Sequence, residues 1–117
     1  LKMQVSGKGR GYIGKLAGKS SNSTTLPSIT FTVPANTYFM GQIGHFGSVT
    51  ATPGMSILDD GTNTVCAIMS RAYIGAGSQV VAGNENVILP AGTYNITSNQ
   101  SFTGSGYVYY SGALFKE

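Results

Sequence analysis

Ile29-Thr30-Phe31-Thr32-Val33-Pro34-Ala35-Asn36-Thr37-Tyr38 is the stretch that decides the fold. Apolar and polar residues alternate through its first five positions, which sets Ile29, Phe31 and Val33 on one face of an extended chain and the threonines on the other. A period of two marks a half-buried strand. Pro34 then fixes φ, Asn36 tolerates positive φ, and Thr37-Tyr38 starts a new strand with a ring free to pack. The pattern recurs as Val87-Ile88-Leu89-Pro90-Ala91-Gly92-Thr93-Tyr94, so one strand-turn-strand corner is used twice.

Outward from these corners the chain reads as short strands punctuated by turn chemistry. Thr37 to Ile43 is a strand, Gly44 to Gly47 separates it from another near Ser48 to Thr52, and Pro53-Gly54 and Asp59-Asp60-Gly61-Thr62-Asn63 are turns, the second with an Asp-Gly step. Thr64 to Ile74 is the longest alternating run, with Val65, Ala67 and Met69 on one face and Cys66, Ile68 and Ala72 on the other. It predicts a strand through the centre of a sheet. Gln79 to Ala82, Asn86 to Leu89 and Thr93 to Thr97 follow, and Tyr107 through Phe115 closes the chain. The expectation is an all-β, antiparallel two-sheet sandwich of jelly-roll type with about nine or ten short strands and no substantial helix, a closed barrel being second. Residues 1–23 form a basic Gly/Ser-rich segment with a short strand at Gly11 to Leu16, and residues 24–117 the β-sandwich domain.

Composition supports this division. The 117 residues suffice for one core, and charged residues make up 9% where about 25% is usual. With two Glu and five Lys, few stable helices can be written, whereas Thr, Val, Ile, Tyr and Phe suit a pleated surface. Lys2, Lys8, Arg10, Lys15 and Lys19 concentrate positive charge near the start. Lys8, Arg10, Lys15 and Lys19 are therefore a candidate docking patch for an acidic shell or for phosphate, with a solvated edge as the plainer reading. Cys66 is alone, so no disulfide framework is expected. No run of about 18 apolar residues and no charged-then-apolar leader occurs, so neither membrane insertion nor a signal peptide is expected. The chain starts at Leu1 rather than Met, as a fragment or a processed product would.

The Pro-Ala-(Asn/Gly)-Thr-Tyr corner resembles the turns of jelly-roll heads such as the tumour-necrosis-factor-like and complement-type trimers, and of the distal domains of bacteriophage tail fibres and receptor-binding proteins. The Gly/Ser/Thr/Asn-rich texture and the aromatic closing strand are similar to a fibre tip. The resemblance implies a homotrimer on the virion surface, made in the host cytoplasm, which meets a host receptor or glycan through distal loops. A structural virion protein, either a capsid decoration or a fibre-attachment domain docked on a neighbouring virion protein, is the alternative. Nucleic-acid binding through the basic arm ranks below both.

Catalytic and cofactor motifs are weak. Gly9-Arg10-Gly11-Tyr12-Ile13-Gly14 lacks the strand, helix and acid of a dinucleotide site, and Gly18-Lys19-Ser20 lacks the first glycine and the helix of a phosphate loop. Asp59 and Asp60 point to opposite faces if extended, which suits a turn better than an acid–base pair or a calcium site. One His and one Cys make no zinc set, and His45 is a metal ligand only if three copies meet on a trimer axis. Neither an enzyme nor a cofactor is expected. Seven tyrosines exceed what so small a core can hold, so Tyr73, Tyr107, Tyr109 and Tyr110, with Asn63, are the candidate ligand-binding residues. Tyr107 and Tyr109 share one face of the last strand and Tyr110 takes the other. The Asn-x-Ser/Thr triplets at Asn22, Asn95 and Asn99 are chance in a chain so rich in these residues.

Overall fold

The computed structural model of the protein describes residues 11–22, 26–49, 54–74, 79–99 and 106–117. They form seven strands and no helix: β1 (Tyr12–Lys19), β2 (Ser28–Val49), β3 (Met55–Asp59), β4 (Thr64–Met69), β5 (Arg71–Ile74), β6 (Gln79–Ser98) and β7 (Gly106–Lys116). All pair antiparallel in one continuous sheet of order β1-β7-β2-β6-β3-β4, with β5 joined to β6. The all-β, antiparallel expectation is met, and among the described residues seven strands stand where nine or ten were expected along the chain. Two of them, at 22 and 20 residues, run through the points where breaks were expected.

The corners explain this. Val33 pairs with Gly92 and Tyr38 with Pro90, so residues 34–37 of β2 stand opposite Ala91 of β6, and the two Pro-Ala corners bulge against each other. Asn36 takes φ 65°, Thr37 Oγ1 donates to the Pro34 carbonyl at 2.7 Å, and Tyr94 Oη donates to the Pro90 carbonyl at 2.6 Å. The missing proline N–H therefore costs the ladder little. Pairing resumes beyond the bulge and the strands bend without ending.

The bend is sharp enough to double the sheet over. Phe31 and Phe39 are eight residues apart, about 26 Å along a straight strand, yet their ring centroids lie 5.9 Å apart. Tyr110 of β7, which pairs with Ile43, stacks on Phe31 at 4.2 Å and 14°. One layer thus holds β1, β7, β5, the second arm of β2 and the first arm of β6; the other holds the remaining arms with β3 and β4. The core lies between them: Phe31, Val33, Leu58, Ile68, Tyr94 and Ile96 from one layer meet Phe39, Ile43, Leu89, Val108 and Leu114 from the other.

Other differences follow from the doubling. Thr64 to Ile74 is not one central strand: β4 lies at the edge of its layer, with Met69 exposed, and the chain crosses at Ser70 so that β5 pairs in the other layer. Gly44 to Gly47 is not a break, because these residues keep pairing with both β6 and β7. β1 runs on to Lys19, and the ladder continues as Ser20 N–H donates to the Val108 carbonyl at 2.9 Å.

Gly41 and Gly112 face each other across β2 and β7. A Cβ on Gly41 would stand 2.6 Å from the Gly112 Cα and 2.8 Å from the Phe39 ring, which covers the pair. Only two glycines permit this approach. Gly41→Ala and Gly112→Ala should each destabilise the domain by about 1–3 kcal/mol through overpacking, read as a lower melting temperature. Asn36→Gly should be nearly neutral, whereas Asn36→Val should cost about 1–2 kcal/mol at its positive φ. Equal melting of the two Asn36 variants would contradict the assigned corner.

Candidate functional site

The outward face of the layer that contains β1 and β7 is read from the pairing, because side chains two apart on a strand share a face. Five rows cross it from the corner end: Tyr12–Phe115–Tyr38–Pro90, Lys15–Ala113–Met40–Ile88, Ala17–Ser111–Gln42–Asn86, Lys19–Tyr109–Gly44–Asn84 and Tyr107–Phe46–Ala82. The first two rows are apolar apart from Lys15, the third carries amides and a hydroxyl, and the last two combine aromatic rings with Lys19 and Asn84.

Two pockets open on this face and abut at Ser111. One, of about 540 Å³, is lined by Lys19, Phe46, Asn84, Tyr107 and Tyr109; the other, of about 720 Å³, by Met40, Gln42, Asn86 and Ile88. Together they make a shallow trough. Gly44 lets the tip of the Tyr109 ring lie flat against its floor, with Cζ 2.6 Å from where a Cβ would stand. Tyr107 packs between Phe46 at 6.0 Å and Tyr109 at 6.2 Å, and Lys19 Nζ sits 4.5 Å from the centre of its ring. That cation–π contact holds the ammonium at the rim. Phe46 is 44% exposed, so an apolar ring wall faces solvent.

Of the tyrosines singled out from sequence, Tyr107 and Tyr109 come together here with Lys19, and Lys15 shares the face. Tyr110 points the other way, stacked on Phe31 between the layers. Asn63 lies in the β3–β4 hairpin, away from the trough. Tyr73 of β5 pairs with Val80 of β6, and its side chain lies outside the described residues, as do Lys8 and Arg10. Phe46, Asn84, Asn86, Gln42 and Ser111 were missed. Their same-face spacing is visible in the sequence, but it has meaning only once β2, β6 and β7 are known to be neighbours.

The remaining candidates have structural roles. Asp59 and Asp60 organise the hairpin: Gly61 N–H donates to Asp59 at 2.8 Å, and Thr62 and Asn63 N–H donate to Asp60 at 2.9 and 2.7 Å. The Asn63 and Thr62 bonds lower the Asp60 pKa. Burial, and then the Glu85 carboxylate, push the Cys66 thiol up, which keeps it protonated. No three His, Cys, Asp or Glu side chains gather to hold a metal among the described residues. No helix among them is long and apolar enough to cross a membrane.

His45 is 1% exposed, with Nδ1 2.8 Å from Ser56 Oγ and Nε2 2.7 Å from Ser70 Oγ. Both nitrogens are engaged inside the fold, so the ring does not reach a symmetry axis to bind metal. A Ser–His pair resembles half of a hydrolytic triad, but the second nitrogen meets a serine where a triad places a carboxylate. Burial lowers the His45 pKa, so the ring is neutral.

Searches against protein-family models, curated proteins and solved structures found no match.

The buried imidazole makes stability depend on pH. An unfolded His45 takes up its proton near 6.5, and the folded one only at lower pH. Its stabilising contribution is therefore complete above about 6.5 and declines below it by at most about 1.4 kcal/mol per pH unit. Denaturant unfolding should show the loss between pH 6.5 and 5, where Asp60, with its lowered pKa, does not titrate. His45→Gln should flatten that part of the profile, and an unchanged slope in the variant would contradict the assignment.

Proposed function

We propose that this domain is a non-catalytic binding module of a virion surface, the receptor- or glycan-binding tip of a bacteriophage tail fibre, and that it grips its ligand in the trough of Phe46, Tyr107 and Tyr109. The observation that carries the reading is the composition of that trough: aromatic rings beside the amides of Asn84, Asn86 and Gln42 and the hydroxyl of Ser111, with no carboxylate in the lining. Rings that cover the apolar face of a sugar, and amides that exchange hydrogen bonds with its hydroxyls, are the chemistry of saccharide recognition. Glycoside cleavage needs two carboxyl groups about 5–9.5 Å apart across the bond. Asp59 and Asp60 are committed to the hairpin, Glu85 lies near Cys66, and Glu117 lies beside Asn36. That distribution supports the non-catalytic reading.

The doubled sheet supports a jelly-roll type of sandwich whose layers share bent strands. Self-association as a homotrimer is supported by the corner end of the same face, where Tyr12, Ile13, Met40 and Ile88 are 47, 53, 45 and 66% exposed. On this reading the exposed corner residues meet other copies and close the Met40–Ile88 end of the trough, while the β1 edge and the Phe46–Tyr107–Tyr109 end stay open.

The purified chain should bind saturably to bacterial cells or to their isolated surface polysaccharides and should compete with phage adsorption. Tyr109→Ala and Phe46→Ala should each weaken binding by about tenfold without changing the melting temperature appreciably. Light scattering should give a trimer that Ile88→Glu dissociates. A stable monomer that binds no cell and blocks no phage would end the proposal. Loss of virion assembly with cell binding retained, on removing only residues 1–10 so that β1 is spared, would favour the fibre-attachment role.

A further inference from the structure

Resting on the saccharide reading above, we propose that the trough takes an acidic saccharide chain, whose carboxylate or phosphate groups are met by Lys15 and Lys19 along the β1 edge while its rings lie against Tyr109 and Phe46. The observation is the placement of two lysines on the outward face in rows that hold no carboxylate. Lys15 and Lys19 stand on the outward face, in the rows that end at Ile88 and Asn84. The acids lie apart from them: Asp59 and Asp60 are engaged in the hairpin, Glu85 lies near Cys66, and Glu117 is at the corner end, where its backbone N–H donates to the Asn36 carbonyl. No carboxylate side chain stands in the row of either lysine. An anion at the rim therefore meets uncompensated positive charge.

The two cations differ in setting. Lys19 is held over the Tyr107 ring at 4.5 Å, so its ammonium is already positioned where the first pocket opens. Lys15 lies four residues back on the same face, about 13 Å away along an extended strand, in the row that crosses to the second pocket. A single sugar does not span that distance, so the pair fits a chain with repeated charges. Between the lysines and the far side of the sheet, Ser111, Gln42, Asn84 and Asn86 supply neutral donors and acceptors. Among the described residues only two cations face the trough, fewer than the run of basic residues with which a single-stranded nucleic-acid groove tracks its backbone.

The test uses the full chain and paired immobilised saccharides. Oligogalacturonate and oligosialic acid are each set beside their carboxyl-reduced neutral forms, and a glycerol-phosphate-substituted glycan beside its dephosphorylated form, with oligo(dT) as a separate probe. The expected result is binding to at least one acidic member over its neutral partner, weakened about tenfold in Lys15→Ala/Lys19→Ala. Its salt dependence should diminish in that variant at an unchanged melting temperature. Equal binding of the acidic and neutral members, or an acidic preference indifferent to the lysine substitutions, overturns this inference and leaves the saccharide reading standing. Tighter binding of oligo(dT) than of any saccharide overturns both, as does the absence of binding to every probe.

Discussion

The structure depends on two bends placed opposite each other. A proline corner in one long strand would break its ladder, but here the corners of β2 and β6 coincide, with Val33 facing Gly92 and Tyr38 facing Pro90. Each strand leaves its direction where its partner does, so hydrogen bonding continues on both sides and the sheet turns as a unit. Pro34 lies in the bulge, where an unpaired residue is ordinary, and Pro90 borders it. Coincidence of the corners makes one sheet into two layers.

Core and polar contacts then follow from the geometry. Phe31 meets Phe39 and Tyr110 because the arms face each other, and His45 reaches Ser56 although their partners on β6, Gly83 and Ser98, would stand about 50 Å apart on a straight strand. The imidazole joins the second arm of β2 to β3 and, through Ser70, to the point where the chain changes layers. A buried polar group whose bonds are satisfied in only one arrangement favours that arrangement over a slipped register. The doubled sheet also turns the other face of the β1–β7 layer outward, where its aromatic and amide rows form the trough.

The strand character of almost every described segment was legible in the sequence, because period-two alternation is a local property. So were the corner, the Asp59–Asn63 hairpin and the common face of Tyr107 and Tyr109. The ends of the strands were harder to read. Gly44-His45-Phe46-Gly47 looks like a turn, since glycine is the usual residue of one, yet the segment is a strand paired on both edges, and Gly44 serves close approach, lying under Tyr109. The Thr64 to Ile74 run alternates without a mark at Ser70, and only the pull of His45 and the separate pairings of β4 and β5 divide it. The site was half legible for the same reason. Two tyrosines on one strand announce a shared face, but Phe46 and Asn84 join them through pairings that no local pattern specifies. The opposite face of Tyr110 was legible from the same alternation, but its stacking partner, Phe31, comes from the opposite layer and no local pattern names it.

The doubling of the sheet is most directly tested by proton–proton Overhauser contacts among aromatic rings in solution. Phe31 should show contacts to Tyr110, whose ring centroid stands 4.2 Å away, as well as to Phe39 and to its ladder neighbour Tyr94. Contacts from Phe31 to Tyr94 with none to Tyr110 or Phe39 would mean that the arms of β2 do not face each other, and would contradict both the core and the outward face derived from it.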